Sequence, residues 1–286
     1  MVFVPFTCTD NHKRCVTFRA GLLTNEDIPS YVWLLQCLKE AMCHDPSCFV
    51  TDQDPAMKTA IAQVYSNARH RYCMWHIMTK VGEKVGLVLS KDVGFRQKLN
   101  AIVWDETLQP NVFEDRWCAV LAEYGLLDHS WFSQLWEART SWIPAYFKDV
   151  FLSGMVTTTS RSEGQNSFFG RYLSPTASLV EFFSHFDSAI DVQRQIQLKL
   201  NADCDGHYSE LKTPLLLERH ASAVYTITVF HEVQKEIYAG CFFCRLVSIK
   251  ACGDIITYDI KEDDVRLFTV HYSSTDNSAT CSCSKF

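Results

Sequence analysis

No apolar run in this sequence approaches the roughly 18–20 residues needed to cross a bilayer, so a spanning helix is excluded. Positions 1–20 do not read as a secretory leader, because Asp10, Lys13, Arg14 and Arg19 interrupt their apolar residues. A disulfide framework is missing too. The 13 cysteines are odd in number and irregularly spaced, which points to a reducing interior, cytosol or nucleus, with most thiols acting as small buried hydrophobes. Positive charge is in deficit: 27 Lys and Arg stand against 33 Asp and Glu, a net charge of −6 and a pI near 5.9. That excludes a basic coat over the whole surface but leaves room for a local basic groove. Repeats and low-complexity tracts are absent. What is there reads as globular. Apolar residues make up 47% and charged ones 21% of 286 positions, enough for one large domain or two small ones with a sizeable core.

Along the chain the pattern is α/β. The opening MVFVPFT and residues 15–23, CVTFRAGLL, read as strands, and Asp10, Asn11 and His12 between them suit the turn of an antiparallel hairpin. A helix follows over NEDIPSYVWLLQCLKEAM, with Ser30 as candidate N-cap and Val32, Leu35, Leu38 and Met42 at helical spacing. SCFVTD reads as a short buried strand, PAMKTAIAQVY as a helix with Pro55 in its first turn, and RHRYCMWHI as a strand running into another helix. From about Asp92 to Asp149 the texture becomes helical and rich in tryptophan (Trp104, Trp117, Trp131, Trp136, Trp142). A polar loop leads to a helix start near Glu163, then to a long amphipathic helix marked by Leu179, Phe182, Phe183, Phe186 and Ile190. Residues 215–239 read as helix, and everything beyond Gly240 as strands.

Several groups could carry chemistry. Asp52 ends a buried strand, where two-metal nucleic-acid enzymes place carboxylates to hold Mg²⁺, while Asp54 and Asp52 could equally complement the dipole of the following helix. Glu163 is either a further acid for such a site or a surface residue at a helix start. Cys73 and His76, three apart on one helix face, could be two zinc ligands or a buried thiol and a core imidazole. Cys281 and Cys283 look like half of a zinc knuckle, and two ligands hold zinc weakly. Arg69, His70 and Arg71 form a basic cluster that could meet phosphates or line a solvated strand edge.

The order of these motifs is more specific than any one of them. VPFT, NHK, FRAGLLTNE and YVWLLQCLKEAM, then FVTDQDPAMKTAIAQVYSNARHRYCMWHI, then WIPAYFKDVFLSGMVTTTSRSEGQNSFF and a terminal CSC, together resemble the far-red-impaired-response family of plant nuclear proteins, relatives of Mutator-like (MULE) transposases. The resemblance implies a ribonuclease H-like transposase core with a large helical insertion and a small C-terminal β region. It makes Asp52 the second and Glu163 the third acid of an Asp–Asp–Glu triad. It makes Cys73 and His76 the superfamily's Cys-x-x-His signature, and Cys281 and Cys283 the opening of a SWIM zinc finger, Cys-x-Cys…Cys-x-His. The implied layout is 1–91 and 151–205 for the two parts of the core, 92–150 for the insertion, 206–240 for a helical linker and 241–286 for the β region.

Departures from the family pattern shape the expected function. The first acid of the family lies on a strand upstream of FVPFT, the N-terminal DNA-binding finger has no counterpart, the zinc finger shows two of four ligands, and Gly164 stands where many relatives have Ser. An incomplete core is therefore expected, its strands at 2–7 and 47–51 lacking the central strand they would share, with lowered stability. The expected protein is a catalytically inactive, transposase-derived regulator of transcription in the nucleus. Its expected partners are DNA, other transcription regulators, or a family member in a homo- or heterodimer, and no membrane. Zinc would be bound at a partial site, and Mg²⁺ only if the acidic site were complete. Two alternatives compete: an active MULE transposase fragment cleaving DNA with metal, Asp10 standing in as first acid, or a non-enzymatic DNA-binding domain using Arg69 and Arg71.

Overall fold

The computed structural model describes residues 1–150, 169, 177–206, 209–262 and 266–283. The chain divides into two compact units, one of Met1–Val4, Gly21–Thr159 and Cys283–Phe286, the other of Pro5–Ala20 and Ser160–Ser282.

Strands β1 (Val2–Thr9) and β2 (Cys15–Leu23) pair as a two-stranded sheet. The connection of residues 10–14 is too short for a crossover, so the pair is an antiparallel hairpin. Asp10 shapes its turn: one carboxylate oxygen accepts from the backbone N–H of His12 at 2.9 Å and of Arg14 at 2.7 Å, while Lys13 takes a positive φ of 59°.

In the first unit α1 (Ile28–Ala41) begins earlier than the sequence suggests. Asp27, not Ser30, is the N-cap, its carboxylate accepting from Ser30 N at 2.9 Å. Pro29 explains the shift, since it lacks an N–H and fits a first turn, where no intrahelical acceptor is needed. Gly21 of β2 lets α1 approach, because a Cβ there would collide with the Leu34 side chain. Next come β3 (Cys48–Thr51), α2 (Pro55–Val64) and β4 (Arg69–Tyr72), a β-α-β unit whose strands pair in parallel with Thr51 opposite Tyr72. Among the described residues β1–β2 and β3–β4 are separate two-stranded sheets.

Helices α3 (Met74–Lys84), α4 (Gly86–Lys91), α5 (Val93–Val103), α6 (Pro110–Glu123) and α7 (Ser130–Glu137) follow, with 3-10 turns at Arg139–Ser141 and Pro144–Tyr146. Their apolar faces make the main core, where Phe95, Phe113, Trp117, Phe132 and Trp142 are fully enclosed. The tryptophans at 117 and 142 meet edge-on, 5.9 Å between centroids.

In the second unit α8 (Leu179–Cys204) opens on a capping box, Ser178 and Glu181 each satisfying the other's backbone N–H. Its residues Gln193, Gln197 and Asn201 recur every four positions and so share a face. Gln193 accepts from Thr17 N and donates to Thr17 O, both at 2.9 Å; Gln197 donates to Asn11 Oδ1 at 2.7 Å; Asn201 meets His12 Nε2 at 2.8 Å. A polar row thus docks the hairpin. The helix expected over 215–239 is two, α9 (Leu216–Val224) and α10 (Ile227–Phe242), because Thr226 turns extended and its hydroxyl donates to Asn11 O at 2.6 Å. Strands β5 (Cys244–Cys252), β6 (Ile255–Glu262), β7 (Arg266–Ser273) and β8 (Ser278–Cys281) then form an antiparallel sheet in that order.

Candidate functional site

Asp52, Asp54 and the Cys-x-x-His pair fall just past the C-terminal ends of β3 and β4, the edge where α/β sheets carry ligand sites. Cys73 N donates to Thr51 O at 2.5 Å, extending the ladder by one bond, and Thr51 Oγ1 meets His70 Nε2 at 2.8 Å. Burial and the charge of Lys58 hold His70 down at about 4, against the opposing pull of Asp52, so its imidazole is neutral near pH 7.

Asp52 stands one residue beyond β3 with its side chain exposed. Its charge acts on His70, His76 and Tyr31, in each case as a lesser influence. Tyr31 is pushed up to about 12, first by burial and then by Asp54, Glu26, Asp52 and Asp27. Asp54 has a different task. It is the N-cap of α2, accepting from Met57 N at 2.7 Å, with Pro55 in the first turn. Asp54→Ala should cost about 1 kcal/mol of unfolding free energy and Asp54→Asn much less, read by urea titration.

Cys73 is not on the helix as the spacing suggests. It is the N-cap residue of α3, with extended backbone, and His76 sits in the first turn. Burial pushes the Cys73 thiol up, but hydrogen bonding to His76 outweighs it and leaves Cys73 below its ordinary value. The same bond raises His76 against burial, and the charge of Asp52 adds to the rise.

Arg69 and Arg71 alternate with His70 and Tyr72 along β4, on the opposite side. Arg69 pairs with Asp149 at 2.6 Å and donates to Tyr146 O at 2.9 Å. Arg71 is 3% exposed and donates to Trp142 O at 3.3 Å, so its charge is not presented to solvent. Both guanidinium groups lie over the Phe147 ring, at 4.9 and 5.7 Å. They tie β4 to the segment after α7. Cys281 ends β8 and Cys283 follows it, both half-buried.

Glu163 and Gly164 lie outside the described residues, so the spacing of the two acids is not part of this geometry. Among the described residues no three of His, Cys, Asp or Glu converge as a metal-binding set. Zinc in a structural site takes four ligands, and the described chain offers Cys73 with His76, or Cys281 with Cys283, two at a time. The sequence reading missed His70 as the group bonded to Thr51, and Tyr31 as a neighbour of the acids. The period-two pattern of RHRY carries the first signal, since it turns His70 away from both arginines. No local pattern carries the second.

Comparison with known proteins gives a match to the MULE transposase domain over residues 1–80. Similarity to curated proteins of Arabidopsis thaliana extends much further. The chain is 32% identical to Protein FAR1-RELATED SEQUENCE 5, over 99% of its own length and 36% of that protein. It is 29% identical to Protein FAR-RED IMPAIRED RESPONSE 1, over 98% of its length and 34% of that protein, and 30% identical to Protein FAR1-RELATED SEQUENCE 4, over 99% and 38%. The chain thus spans a little over a third of the length of the curated relatives it matches.

Proposed function

From homology to FAR1 and FAR1-related sequence proteins along nearly the whole chain, with a MULE transposase domain at its start, we propose that this protein is a transposase-derived regulator of transcription in far-red light signalling. It acts in the nucleus, without catalysis, through DNA or other transcription regulators. The observation that carries the reading is the match, along 98% of this chain and 34% of the relative, to a protein whose name records a far-red response.

The geometry around Asp52 supports a non-catalytic role. Its nearest acid in sequence, Asp54, is engaged as a helix cap, and the adjacent imidazole of His70 is neutral and bonded to Thr51. Two-metal chemistry needs several carboxylates sharing the ions, and among the described residues no such set forms around Asp52. Zinc would draw Cys281 and Cys283 from this chain as two of its four ligands, and no step of the reading passes through it.

Two measurements test this. Fused to a heterologous DNA-binding domain, the chain should change reporter transcription in plant protoplasts. With Mg²⁺ and supercoiled plasmid, wild type and Asp52→Ala should give the same background nicking. Metal-dependent nicking that disappears in Asp52→Ala would establish the transposase reading in its place.

A further inference from the structure

Cys241 and Cys244 stand three positions apart, the one such pair among the 13 cysteines of the sequence. They flank the joint between α10 and the C-terminal sheet. Cys241 lies in the last turn of α10, Cys244 is the first residue of β5, and both are thiols. Between them Phe242 closes the helix, and Phe243 follows with φ −115° and ψ −7°. A helical residue followed by one near about −90° and 0° makes a type I turn, whose corner Cα atoms are less than about 7 Å apart. Disulfides span Cα separations of about 4.4–6.8 Å, so this turn holds the two cysteines within reach of one bond.

The turn is held from outside the pair. The Tyr238 ring packs on Phe242 and Phe243, 4.6 and 6.2 Å between centroids, and Phe243 N donates to Ala239 O at 2.8 Å. Both residues between the cysteines are thereby pinned, so a bond across them costs little further chain entropy. The site is open to reagents. Cys241 is exposed, and Phe242 and Phe243 beside it are 62% and 53% exposed. Among the described residues no third His, Cys, Asp or Glu joins the two as a metal-binding set.

We propose that Cys241 and Cys244 form a redox-active dithiol, closed to a disulfide by a low-molecular-weight disulfide and reopened by thiols. This goes beyond the function proposed above and does not depend on it. With glutathione disulfide as the oxidant the exchange runs in two displacements. The exposed Cys241 loses its proton to water. Its thiolate attacks one sulfur of the oxidant, whose S–S bond breaks and releases one glutathione thiolate. The Cys244 thiolate, its proton also lost to water, then attacks Cys241 Sγ and expels the second glutathione thiolate. The two cysteines give up two electrons and two protons, and the oxidant becomes two thiols as it takes those protons up. Four residues make a very short loop, which constrains the unfolded chain little. The bond is therefore a reversible latch between α10 and β5 rather than a structural staple. Transient disulfides of this kind are the usual ones in the reducing interior that the cysteine pattern leads one to expect.

The experiment equilibrates the full chain in glutathione buffers of rising oxidised share, blocks the remaining thiols with N-ethylmaleimide and maps the tryptic peptides. Glu236–Arg245 is the diagnostic peptide, since it follows Lys235, ends at Arg245 and contains these two cysteines alone. It should pass from doubly alkylated to unalkylated and lighter by two hydrogens, and dithiothreitol should restore the first form. In Cys244→Ser the mixed disulfide of Cys241 with glutathione should accumulate at least about tenfold above wild type, because the resolving thiol is gone. In urea, where the turn is lost, closure should need a more oxidising buffer. A wild-type peptide doubly alkylated in every buffer would overturn the proposal. So would arrest of wild type at the mixed disulfide, bonding of either cysteine to another peptide, or closure as ready in urea as in the folded chain.

Discussion

Glu218→Ala should lower the unfolding free energy of the second unit by about 3 kcal/mol, because four donors lose a common acceptor where water does not reach. Glu218 is fully buried. One of its oxygens accepts from Lys212 N at 2.8 Å and Gln234 Nε2 at 2.7 Å; the other accepts from Thr213 N at 2.7 Å and from the Thr213 hydroxyl. Gln234 also donates to Glu210 O at 2.8 Å, so one carboxylate knits the 210–213 segment to both α9 and α10. Burial alone would push this carboxyl up, yet the hydrogen bonds override it and hold it at about 2. The sign of the pH effect follows. A depressed carboxyl contributes its full stabilisation above its unfolded value near ~4.3 and loses it as pH falls toward 2. The difference in unfolding midpoint between wild type and Glu218→Gln, followed by far-UV circular dichroism, should therefore be constant from neutral pH down to about 5 and shrink across that acid window. A difference that grows on acidification would refute the assignment.

The second large effect belongs to the first unit. Trp142→Ala should cost about 3–5 kcal/mol, and Trp142→Phe less, in urea denaturation followed by circular dichroism. The ring is completely enclosed against Trp117, and its Nε1 donates to Leu135 O at 3.0 Å. Alanine leaves a cavity and an orphaned carbonyl together; phenylalanine leaves mainly the carbonyl. Trp142 O is also the acceptor for Arg71, so a shift of this segment would unseat a buried guanidinium. If Trp142→Phe proves as costly as alanine, the hydrogen bond rather than the packing is the larger contribution.

The elements that sequence made legible are those whose signals are local. The hairpin turn around Asp10, the β-α-β run through VTDQDPAM to RHRY and the helix from Leu179 each carry their period and punctuation within a few residues. Misreadings came where two local signals competed, as between Asp27 and Ser30 as the cap of α1, or where a distant group decided the outcome. Thr226 breaks the helix between α9 and α10 through a bond to Asn11, 215 residues away. The burial of Glu218 rests on Lys212 and Thr213 just before α9 and on Gln234 of the next helix, 16 residues on, a set that no period reveals. At the site, Asp54 was legible as a cap, because Asp followed by Pro before an apolar run is a helix-start pattern. The closeness of Tyr31 to Asp52 was not, since it depends on how α1 packs.

The amide of Gln193 occupies both backbone groups of Thr17, the N–H and the C=O, as a neighbouring strand would. One side chain thereby stands in for a strand at the point where β2 would otherwise present a free hydrogen-bonding edge. Exposed edges of this kind recruit other chains into open-ended stacks. The α8 side chain thus acts as a stopper at Thr17, from a glutamine that contributes nothing to the apolar core.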